Sequence, residues 1–472
     1  MSEFETVIGL EVHVQLKTKS KIFCGCSVDS QSRPNTNICP VCCGYPGVLP
    51  VFNFQAFKLA TRVCLAFNCK INPSIYFERK NYFYPDLPKN YQISQYQRPL
   101  GEKGSLKLLS GKPIGINRVH LEEDAGKLIH KDNYSLVDYN RTGTPLLEIV
   151  SEAEINSSQE AFEYLTYLKL TLQYIGISDC DMEKGSLRCD ANISLRAKGS
   201  PKLGVKVEIK NMNSFKGVKA ALEYEIKRQA VVLEKGEKVI QETRLWDQEL
   251  SKTTPMRSKE KAHDYRYFPE PDLLDFSLPP GLVAEEKSSL GELPLDKRKR
   301  LLESYSLGEK ETDVLIALRE LSDFFETAVK RYAHPKEVLN WLIGPFLEQV
   351  NNLEGGFSAV RISAENFVKI VRYFSENKLN NLAAKKVLSL ALETDQDVDE
   401  IINSHQLTQM SDQGELEKFI EEALSDNPKA VEEYLSGKSQ AMQFLVGQVM
   451  KKTKGKANPK LAREMLERRL ER

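Results

Sequence analysis

The sequence has no excess of either charge and no long apolar run. Its 472 residues contain 66 Lys and Arg against 66 Asp and Glu, so the formal net charge is zero. A protein with this balance has no overall field that attracts nucleic acid, so any such contact needs a local patch. No apolar stretch approaches the roughly 20 residues that a transmembrane helix needs. We therefore expect no membrane partner.

We also expect no secretion signal in this chain. The first five residues are acidic and run directly into a predicted strand, unlike a signal peptide. Nine cysteines, an odd number without a secretion signal, favour a reducing compartment over a disulfide framework. These features predict a cytoplasmic protein, and the length predicts two or three domains.

Three segments alternate apolar and polar residues, which predicts strands with one buried face. Residues 7–16 place Glu11 and His13 together on the polar face. Residues 189–196 and 205–210 repeat the pattern. Their polar faces carry Asp190, Glu208 and Lys210, and their predicted buried residues are Ala191, Ile193, Leu195, Val205, Val207 and Ile209. Together the segments predict one antiparallel sheet that is apolar behind and charged in front.

The acids and the imidazole on this open face are of the types that bind divalent metals. Further acids occur at residues 122–124 and at Glu148. Strict alternation puts Glu122 and Asp124 opposite Glu123, so the pattern leaves open which acid enters the site. If only one such strand were present, an edge strand with a solvated polar face would explain it. The three acid-bearing strands together with the further acids favour a site for a metal and phosphate.

Four cysteines have the spacing of a structural zinc site. Cys24 and Cys26 are followed after 12 residues by Cys39 and Cys42. Two close pairs of thiolates separated by a short loop can close a tetrahedron around Zn²⁺. Buried free thiols are the alternative, and the adjacent Cys43 can replace Cys42. The remaining cysteines are predicted to be buried small residues: Cys64, Cys69, Cys180 and Cys189.

The pattern changes near residue 290. Before it, short alternating runs are interspersed with helical periodicity at residues 159–174 and 215–233, whereas after residue 295 the periodicity is helical throughout. The sequence therefore predicts an α+β fold with three domains. A catalytic sheet domain with the zinc knuckle occupies residues 1–292, an all-α domain residues 293–406, and a small helical tail domain residues 407–472.

The predicted tail carries a lysine cluster that can contact a phosphate backbone. A solvated helix end, where cations favour the helix dipole, is the alternative. The cluster includes Lys451, Lys452, Lys454 and Lys456.

Long motifs along essentially the whole chain resemble the B-subunit family of the tRNA-dependent amidotransferases. They are FETVIGLEVHV at 4–14, RKNYFYPD at 79–86, NRTGTPL at 140–146, GSLRCDAN at 185–192 and DYRYFPE at 264–270. The resemblance implies a complex with an amidase (A) subunit and a small C subunit. In that complex ATP phosphorylates the side-chain carboxylate of Glu-tRNA(Gln) or Asp-tRNA(Asn), and ammonia from the amidase completes the amide. It also implies a sheet domain similar to the glutamine synthetase and guanidino kinase fold.

The resemblance further implies a role for each candidate residue. The Mg²⁺ ligands would be Glu11, His13 and Glu123. Asp190 and Glu208 would serve a second ion or guide ammonia, with Glu148 as a weaker candidate. The remaining roles are phosphate or substrate contacts for Arg141, Arg188, Lys210 and Arg266, structural Zn²⁺ for the four cysteines, and tRNA binding for the four lysines.

Two other functions fit parts of the sequence. A non-catalytic, zinc-containing tRNA-binding adaptor would use the cysteines and lysines but not the acids. A self-sufficient ligase would make its own ammonia. The sequence contains no serine-rich and glycine-rich amidase signature, so we expect a partner to hydrolyse glutamine.

Overall fold

A computed structural model of the chain describes residues 4–256, 265–407, 413–453 and 457–470, with the side chains of 413–415 left undescribed. The chain divides into two compact units, Met1–Lys297 and Arg298–Arg472. Within the described ranges, no helix has both the length and the apolarity that crossing a bilayer requires.

The first unit is built mainly from strands. They are β1 (Phe4–Gln15), β2 (Lys70–Ile71), β3 (Ser74–Ile75), β4 (Glu78–Asn81), β5 (Tyr91–Ser94), β6 (Gly101–Lys107), β7 (Pro113–Glu123), β8 (Lys127–His130), β9 (Ser135–Asp138), β10 (Pro145–Ser151), β11 (Leu187–Ala197), β12 (Val207–Met212), β13 (Thr243–Asp247), β14 (Lys252–Pro255), β15 (Phe268–Pro269) and β16 (Phe276–Ser277). Its helices are α1 (Phe54–Ala66), α2 (Ser158–Tyr174), α3 (Phe215–Glu234) and α4 (Leu282–Ser289).

Nine of these strands form one sheet in the order β14-β13-β12-β11-β1-β10-β7-β6-β2. Neighbouring strands are antiparallel except for β12 and β13, which are parallel. The predicted antiparallel sheet is therefore a mixed sheet. The physical reason is that α3 connects β12 to β13. This helical crossover carries the chain back to the edge where β12 began, so β13 runs parallel to β12.

Helices cover the apolar face of this sheet. α1 packs on β6 and β7, and α3 packs on β11 and β12. The helices predicted at 159–174 and 215–233 are confirmed as α2 and α3, within one residue at each end. Serine N-caps fix both starts, since Ser157 and Ser214 accept hydrogen bonds from the first helical turn.

The predicted alternation of buried and open side chains is confirmed for two of the three segments. In β1 the apolar residues are buried, for example Val12 and Val14, and in β11 Ile193 is buried. The third segment differs, because β12 begins only at Val207 and Val205 is 42% exposed. Before β12 the chain passes so close to β11 that a Cβ at Gly204 would lie 2.0 Å from the carbonyl oxygen of Leu195. Only glycine can come this close to the neighbouring backbone, so the path of the chain before β12 depends on a tertiary contact.

The second unit is helical. After α5 (Pro294–Tyr305), which crosses the boundary between the units, its helices are α6 (Glu309–Ile316), α7 (Arg319–Arg331), α8 (Pro335–Trp341), α9 (Leu347–Val350), α10 (Ala364–Ser375), α11 (Asn381–Leu392), α12 (Val398–Ser404), α13 (Gln413–Asp426), α14 (Pro428–Leu435), α15 (Gln440–Lys452) and α16 (Pro459–Leu470). A π-helical turn, Leu342–Phe346, joins α8 to α9.

Two groups of apolar side chains stabilise this unit. One is aromatic, with Phe324 stacked on Phe346 at a ring distance of 5.3 Å and Phe367 in contact with both. The other unites α13, α15 and α16 around the buried residues Leu416, Ile420, Leu445, Val449 and Leu466. The tail helices thus have a core of their own.

Candidate functional site

The open face of the central strands lines a cleft of about 710 Å³. This volume lies within the range of small-molecule sites in proteins, roughly 300–1,000 Å³. The lining residues are mostly charged or aromatic: Glu11, His13, Lys80, Tyr96, Gln97, Arg118, His120, Glu148, Val150, Asp190, Glu208, Lys210, Tyr265 and Tyr267.

Strand register brings four polar side chains into one row across the sheet, and three of them line the cleft: His120, Glu148 and His13. His120 on β7 lies opposite Glu148 on β10, which lies opposite His13 on β1, which lies opposite Arg188 on β11. Directly opposed residues have Cβ atoms about 4.5–5.5 Å apart. A row of this kind therefore forms from residues far apart in sequence, and it explains why the imidazoles and carboxylates meet.

His13, Glu122 and Glu148 form a cluster that can hold a metal ion. His13 Nε2 lies 3.3 Å from Glu148 Oε2 and 3.6 Å from Glu122 Oε1. One ligand atom from each of the three residues lies within 4.8 Å of the others. One imidazole and two carboxylates suit a hard or borderline divalent cation such as Mg²⁺ or Mn²⁺. The second imidazole, His120, lies 3.3 Å from Glu148 through Nε2.

The imidazoles and carboxylates of the cluster stabilise each other's charged forms. Burial opposes charge on His13, but the hydrogen bond to Glu148 and the charge of Glu122 outweigh it and raise the pKa of His13. Burial likewise opposes charge on His120, yet the charge of Glu148 and contact with Glu122 raise its pKa to about 9. The imidazoles in turn lower the pKa of Glu148 and Glu122, against the effect of their burial. Both carboxylates are thus ionised, as metal ligands must be, whereas His13 has to release its proton to a binding metal ion because imidazole coordinates in its neutral form.

Glu123, which we predicted as a ligand beside Glu11 and His13, lies elsewhere. Its two carboxylate oxygens lie 2.5 and 2.6 Å from Lys89 Nζ, and it accepts a hydrogen bond from the backbone N–H of Ile93. Successive residues of a strand point to opposite faces, so only one of Glu122 and Glu123 can reach the cleft. The acid that the structure brings to His13 is Glu122.

The other predicted acids form a second group in the cleft. Lys210 Nζ lies 2.8 Å from Asp190 Oδ2 and 3.2 Å from Glu208 Oε1, so it bridges the two carboxylates. Glu11 lies opposite Asp190 and accepts a hydrogen bond of 2.8 Å from Asn192 Nδ2. Glu11 therefore lines the cleft without joining the cluster around His13.

Three predicted arginines are not among the lining residues of the cleft. Arg188 Nη2 lies 2.8 Å and Arg141 Nε 3.6 Å from the buried carboxylate of Asp124, and Arg141 also donates to two backbone carbonyls. Arg266 lies in sequence between the lining residues Tyr265 and Tyr267. Its backbone carbonyl accepts a hydrogen bond from the side-chain amide of Asn81. Arg141 and Arg188 thus anchor a buried acid.

The four predicted zinc cysteines do come together. Ligand atoms of Cys24, Cys26, Cys39 and Cys42 all lie within 4.8 Å of one another, whereas Cys43 is outside this group. A hydrogen bond from Cys24 lowers the pKa of Cys42 to about 4, helped by the positive charge of Lys21. Lys21 is fully buried, and its Nζ lies 3.6 Å from Cys42 Sγ. Four converging thiols suit the tetrahedral coordination of Zn²⁺.

Two of the four tail lysines lie within the described residues. Lys452 forms ion pairs with Asp426 at 2.6 Å and with Glu422 at 3.4 Å. Lys451, its neighbour at the end of α15, is exposed. Lys454 and Lys456 lie outside the described residues.

Sequence reasoning missed several residues of the cleft. His120 and Arg118 share the open face of β7 with Glu122, which the sequence left as an alternative to Glu123. Alternation with the buried Val119 and Leu121 was a signal that could have identified His120 and Arg118. The lining residues contributed by other segments had no such signal: Lys80, Tyr96, Gln97, Tyr265 and Tyr267. They reach the cleft from short strands and loops whose position depends on the tertiary fold.

Comparison with known proteins assigns the chain to a family. The model described as the GatB/GatE catalytic domain matches residues 6–284, and the model described as the GatB domain matches residues 323–470. Proteins named as the B subunit of aspartyl/glutamyl-tRNA(Asn/Gln) amidotransferase are similar over the full length. That of Carboxydothermus hydrogenoformans is 49% identical over 100% of this chain and 99% of its own. That of Moorella thermoacetica is 49% identical over 99% of this chain and 100% of its own. That of Persephonella marina is 48% identical over 98% of this chain and 99% of its own. The chain therefore belongs to the family of aspartyl/glutamyl-tRNA(Asn/Gln) amidotransferase B subunits.

Proposed function

We propose that this chain uses ATP to phosphorylate the side-chain carboxylate of Glu-tRNA(Gln), Asp-tRNA(Asn) or both. Ammonia then displaces the phosphate and gives Gln-tRNA(Gln) or Asn-tRNA(Asn). The names of the relatives support the tRNA substrates and the amide product. The observation that carries the ATP-dependent step is the convergence of His13, Glu122 and Glu148 in the cleft.

The chemistry requires such a cluster. A carboxylate is a poor electrophile, so it must become a mixed anhydride with phosphate before ammonia can attack it. Phosphoryl transfer brings an anionic acceptor to an anionic donor, and a divalent cation held by these three residues would offset that repulsion. The donor set fits Mg²⁺, because two ionised carboxylates and one imidazole face a common point.

Lys210, Asp190 and Glu208 would position the substrate carboxylate and the incoming ammonia, which the cation does not hold. Lys210 has a pKa raised, despite burial, by Asp190 and Glu208, so it stays charged in the cleft. A fixed ammonium near a reacting carboxylate orients that carboxylate and stabilises negative charge that develops during transfer. Asp190 and Glu208 can then accept hydrogen bonds from incoming ammonia, or serve a second ion.

Ammonia is supplied by partners in this proposal. An amidase (A) subunit hydrolyses glutamine, and a small C subunit completes a cytoplasmic heterotrimer, so the enzyme is a carbon–nitrogen ligase with glutamine as amido donor. Structural Zn²⁺ at the four cysteines would brace the segment at 24–42. The likeness of the sheet domain to glutamine synthetase and guanidino kinases stays a prediction, as do the boundaries at 292/293 and 406/407.

The tail binds the tRNA in this account. The tail helices have an apolar core of their own and carry a lysine-rich segment, so they can bind the phosphate backbone of a tRNA without contributions from the sheet domain. Of the two predicted tRNA-binding lysines within the described residues, Lys451 is the exposed one, so it is the first candidate for a phosphate contact.

Reconstitution tests the whole proposal. The chain is combined with the amidase and C subunits, glutamine, Mg²⁺-ATP and each mischarged tRNA, and components are omitted one at a time. We expect amide formation to require ATP, the chain and a mischarged tRNA. The competing adaptor function predicts that His13→Ala or Glu11→Gln leaves amide formation intact, whereas our proposal predicts that His13→Ala abolishes it while tRNA binding persists.

A further inference from the structure

Lys21 is buried without a carboxylate partner. The residue is 0% exposed and is one of the largest fully buried side chains of the described chain. Lys89, which lines the same cavity, forms an ion pair with Glu123, whereas no Asp or Glu of the described ranges forms an ion pair with Lys21. An ammonium group removed from water costs free energy unless a counter-charge or hydrogen bonds compensate it. The position of Lys21 therefore needs an anion of another kind.

The anion that the structure offers is a cysteine sulfur. Lys21 Nζ donates hydrogen bonds to Cys42 Sγ at 3.6 Å and to the backbone carbonyl of Tyr139 at 3.2 Å. Cys42 Sγ also accepts a hydrogen bond of 3.2 Å from the backbone N–H of Cys39. Cys42 belongs to the group of four cysteines that can hold a metal ion. Hydrogen bonds to a coordinating sulfur stabilise its negative charge and fix its position.

The charge of a zinc site made of four cysteines explains why a lysine lies here. Zn²⁺ bound by four thiolates carries two net negative charges, and Cys42 among its ligands is buried. Placing that excess charge inside the fold is unfavourable unless a cation lies close to it. The ammonium of Lys21 supplies one positive charge in contact with one of the sulfurs. The site and the lysine thus offset the cost of each other's burial.

Protein groups alone hold the ammonium in this position. The backbone N–H of Lys21 donates to the carbonyl of Cys26 at 2.9 Å, and its side chain reaches the carbonyl of Tyr139 on the other side. The segment around Tyr139 is itself bound to the loop between the cysteine pairs. The Tyr139 N–H donates to Asn35 Oδ1 at 2.8 Å, and the Asn37 N–H donates to Asn140 Oδ1 at 2.9 Å. The charge is therefore preorganised beside the sulfur.

We propose that Lys21 is the counter-charge of the four-cysteine site, a positioning residue that strengthens Zn²⁺ binding by offsetting one negative charge and fixing the sulfur of Cys42. This inference rests on the structural Zn²⁺ of the proposed function and adds a residue that is not a ligand. A lysine that only fills space at this position would be replaceable by a neutral side chain of similar length without loss of zinc.

Competition titrations of the full chain test this role. Metal-free protein is titrated with Zn²⁺ in the presence of a chromogenic chelator. Lys21→Met and Lys21→Gln remove the charge, and glutamine keeps a hydrogen-bond donor. Lys19→Met is the matched control, because Lys19 is an exposed lysine two residues away. We expect both Lys21 variants to bind Zn²⁺ about ten- to a hundredfold more weakly than wild type, and Lys19→Met to stay within about twofold.

A double-mutant cycle with Cys42→Ser separates charge from packing. Cys42→Ser removes the thiolate that Lys21 contacts. The counter-charge role predicts that Lys21→Met weakens Zn²⁺ binding by a smaller factor in the Cys42→Ser background than in wild type, because the two residues act through one contact. A packing role predicts the same factor in both backgrounds.

Two results would overturn the counter-charge role while leaving the zinc site in place. One is Zn²⁺ affinity within about threefold of wild type in the Lys21 variants, and the other is equal effects of Lys21→Met in the two backgrounds. If Lys21→Met does not fold, as judged by circular dichroism, Lys21→Gln gives the same comparisons. A wild-type chain that binds no Zn²⁺ is a distinguishable result, since it overturns the zinc site of the proposed function and the role of Lys21 with it.

Discussion

His13 and Glu148 lie directly opposite each other on β1 and β10, and His13 Nε2 is 3.3 Å from Glu148 Oε2. Glu122 adds a second carboxylate from β7, on the far side of β10. Residues from three strands thus place their ligand atoms around one point. Each lies in a regular strand, which is a rigid support for a site.

The two adjacent glutamates of β7 give a matched test of this cluster. We predict that Glu122→Gln weakens Mn²⁺ binding by at least about tenfold, because a charged ligand becomes neutral. Glu123→Gln should leave Mn²⁺ affinity close to wild type, since Glu123 pairs with Lys89 instead. Electron paramagnetic resonance titration of the full chain measures both. Equal losses in the two variants would mean that the structure assigns the wrong glutamate.

Asp124 is predicted to stabilise the sheet unit. Burial opposes its charge, but Arg188 and Arg141 lower its pKa below the ordinary range. A carboxyl with a lowered pKa in the folded state stabilises that state above the ordinary carboxyl range, and this contribution is lost as the pH falls toward the lowered value. Asp124→Asn should therefore cost about 1–3 kcal/mol at neutral pH, because it removes a buried charged acceptor while the two arginines left behind are partly exposed to water.

The loss of unfolding free energy in Asp124→Asn is measured by hydrogen exchange of the β7 and β11 amides at increasing urea concentrations. Asp132→Asn is the control, because Asp132 is exposed. The two variants should converge as the pH falls below about 4, where the ordinary carboxyl range ends. An Asp124→Asn variant as stable as the control at neutral pH would contradict the anchoring role.

The cysteine cluster predicts which thiols hold zinc. Chains with Cys42→Ser should retain much less zinc than wild type after purification, as measured by plasma mass spectrometry. Cys43→Ser should retain the full amount, because Cys43 lies outside the group of four. Chelation of wild type should lower its Tm, since a structural site stabilises the fold. Loss of zinc in Cys43→Ser but not in Cys42→Ser would reverse the assignment.

Neighbouring lysines of α15 should differ in tRNA binding. Lys452 already pairs with Asp426 and Glu422, whereas Lys451 is exposed. We predict that Lys451→Ala weakens binding of the complex to tRNA and lowers the slope of log K against log salt by about one unit. Lys452→Ala should have the smaller effect. Filter binding at several salt concentrations tests this, and equal slopes in Lys451→Ala and wild type would exclude a phosphate contact at Lys451.

Local patterns in the sequence predicted much of the sheet but little of its pairing. Alternation identified the polar faces of β1 and β11, because side-chain direction follows from strand geometry alone. The start of the third segment was wrong at Val205, since the close approach at Gly204 is a tertiary contact. The parallel pairing of β12 and β13 likewise depends on where α3 crosses.

The candidate site divides in the same way. The spacing of the four cysteines was enough to predict their convergence, because they lie close together in sequence. The choice between Glu122 and Glu123 needed the register of β7 against β10, which alternation over three consecutive acids could not supply. No local pattern indicated the contact between Tyr96 and Tyr267, because these two lining residues lie far apart in sequence and meet only in the folded chain.

The most direct test is ADP release by the complete complex without glutamine or any other ammonia source. The account predicts that Glu-tRNA(Gln) or Asp-tRNA(Asn) triggers ADP release in wild type, that uncharged tRNA does not, and that His13→Ala abolishes the release while tRNA binding is kept. Release that ignores the mischarged amino acid, or that persists in His13→Ala, would contradict phosphorylation at this cleft.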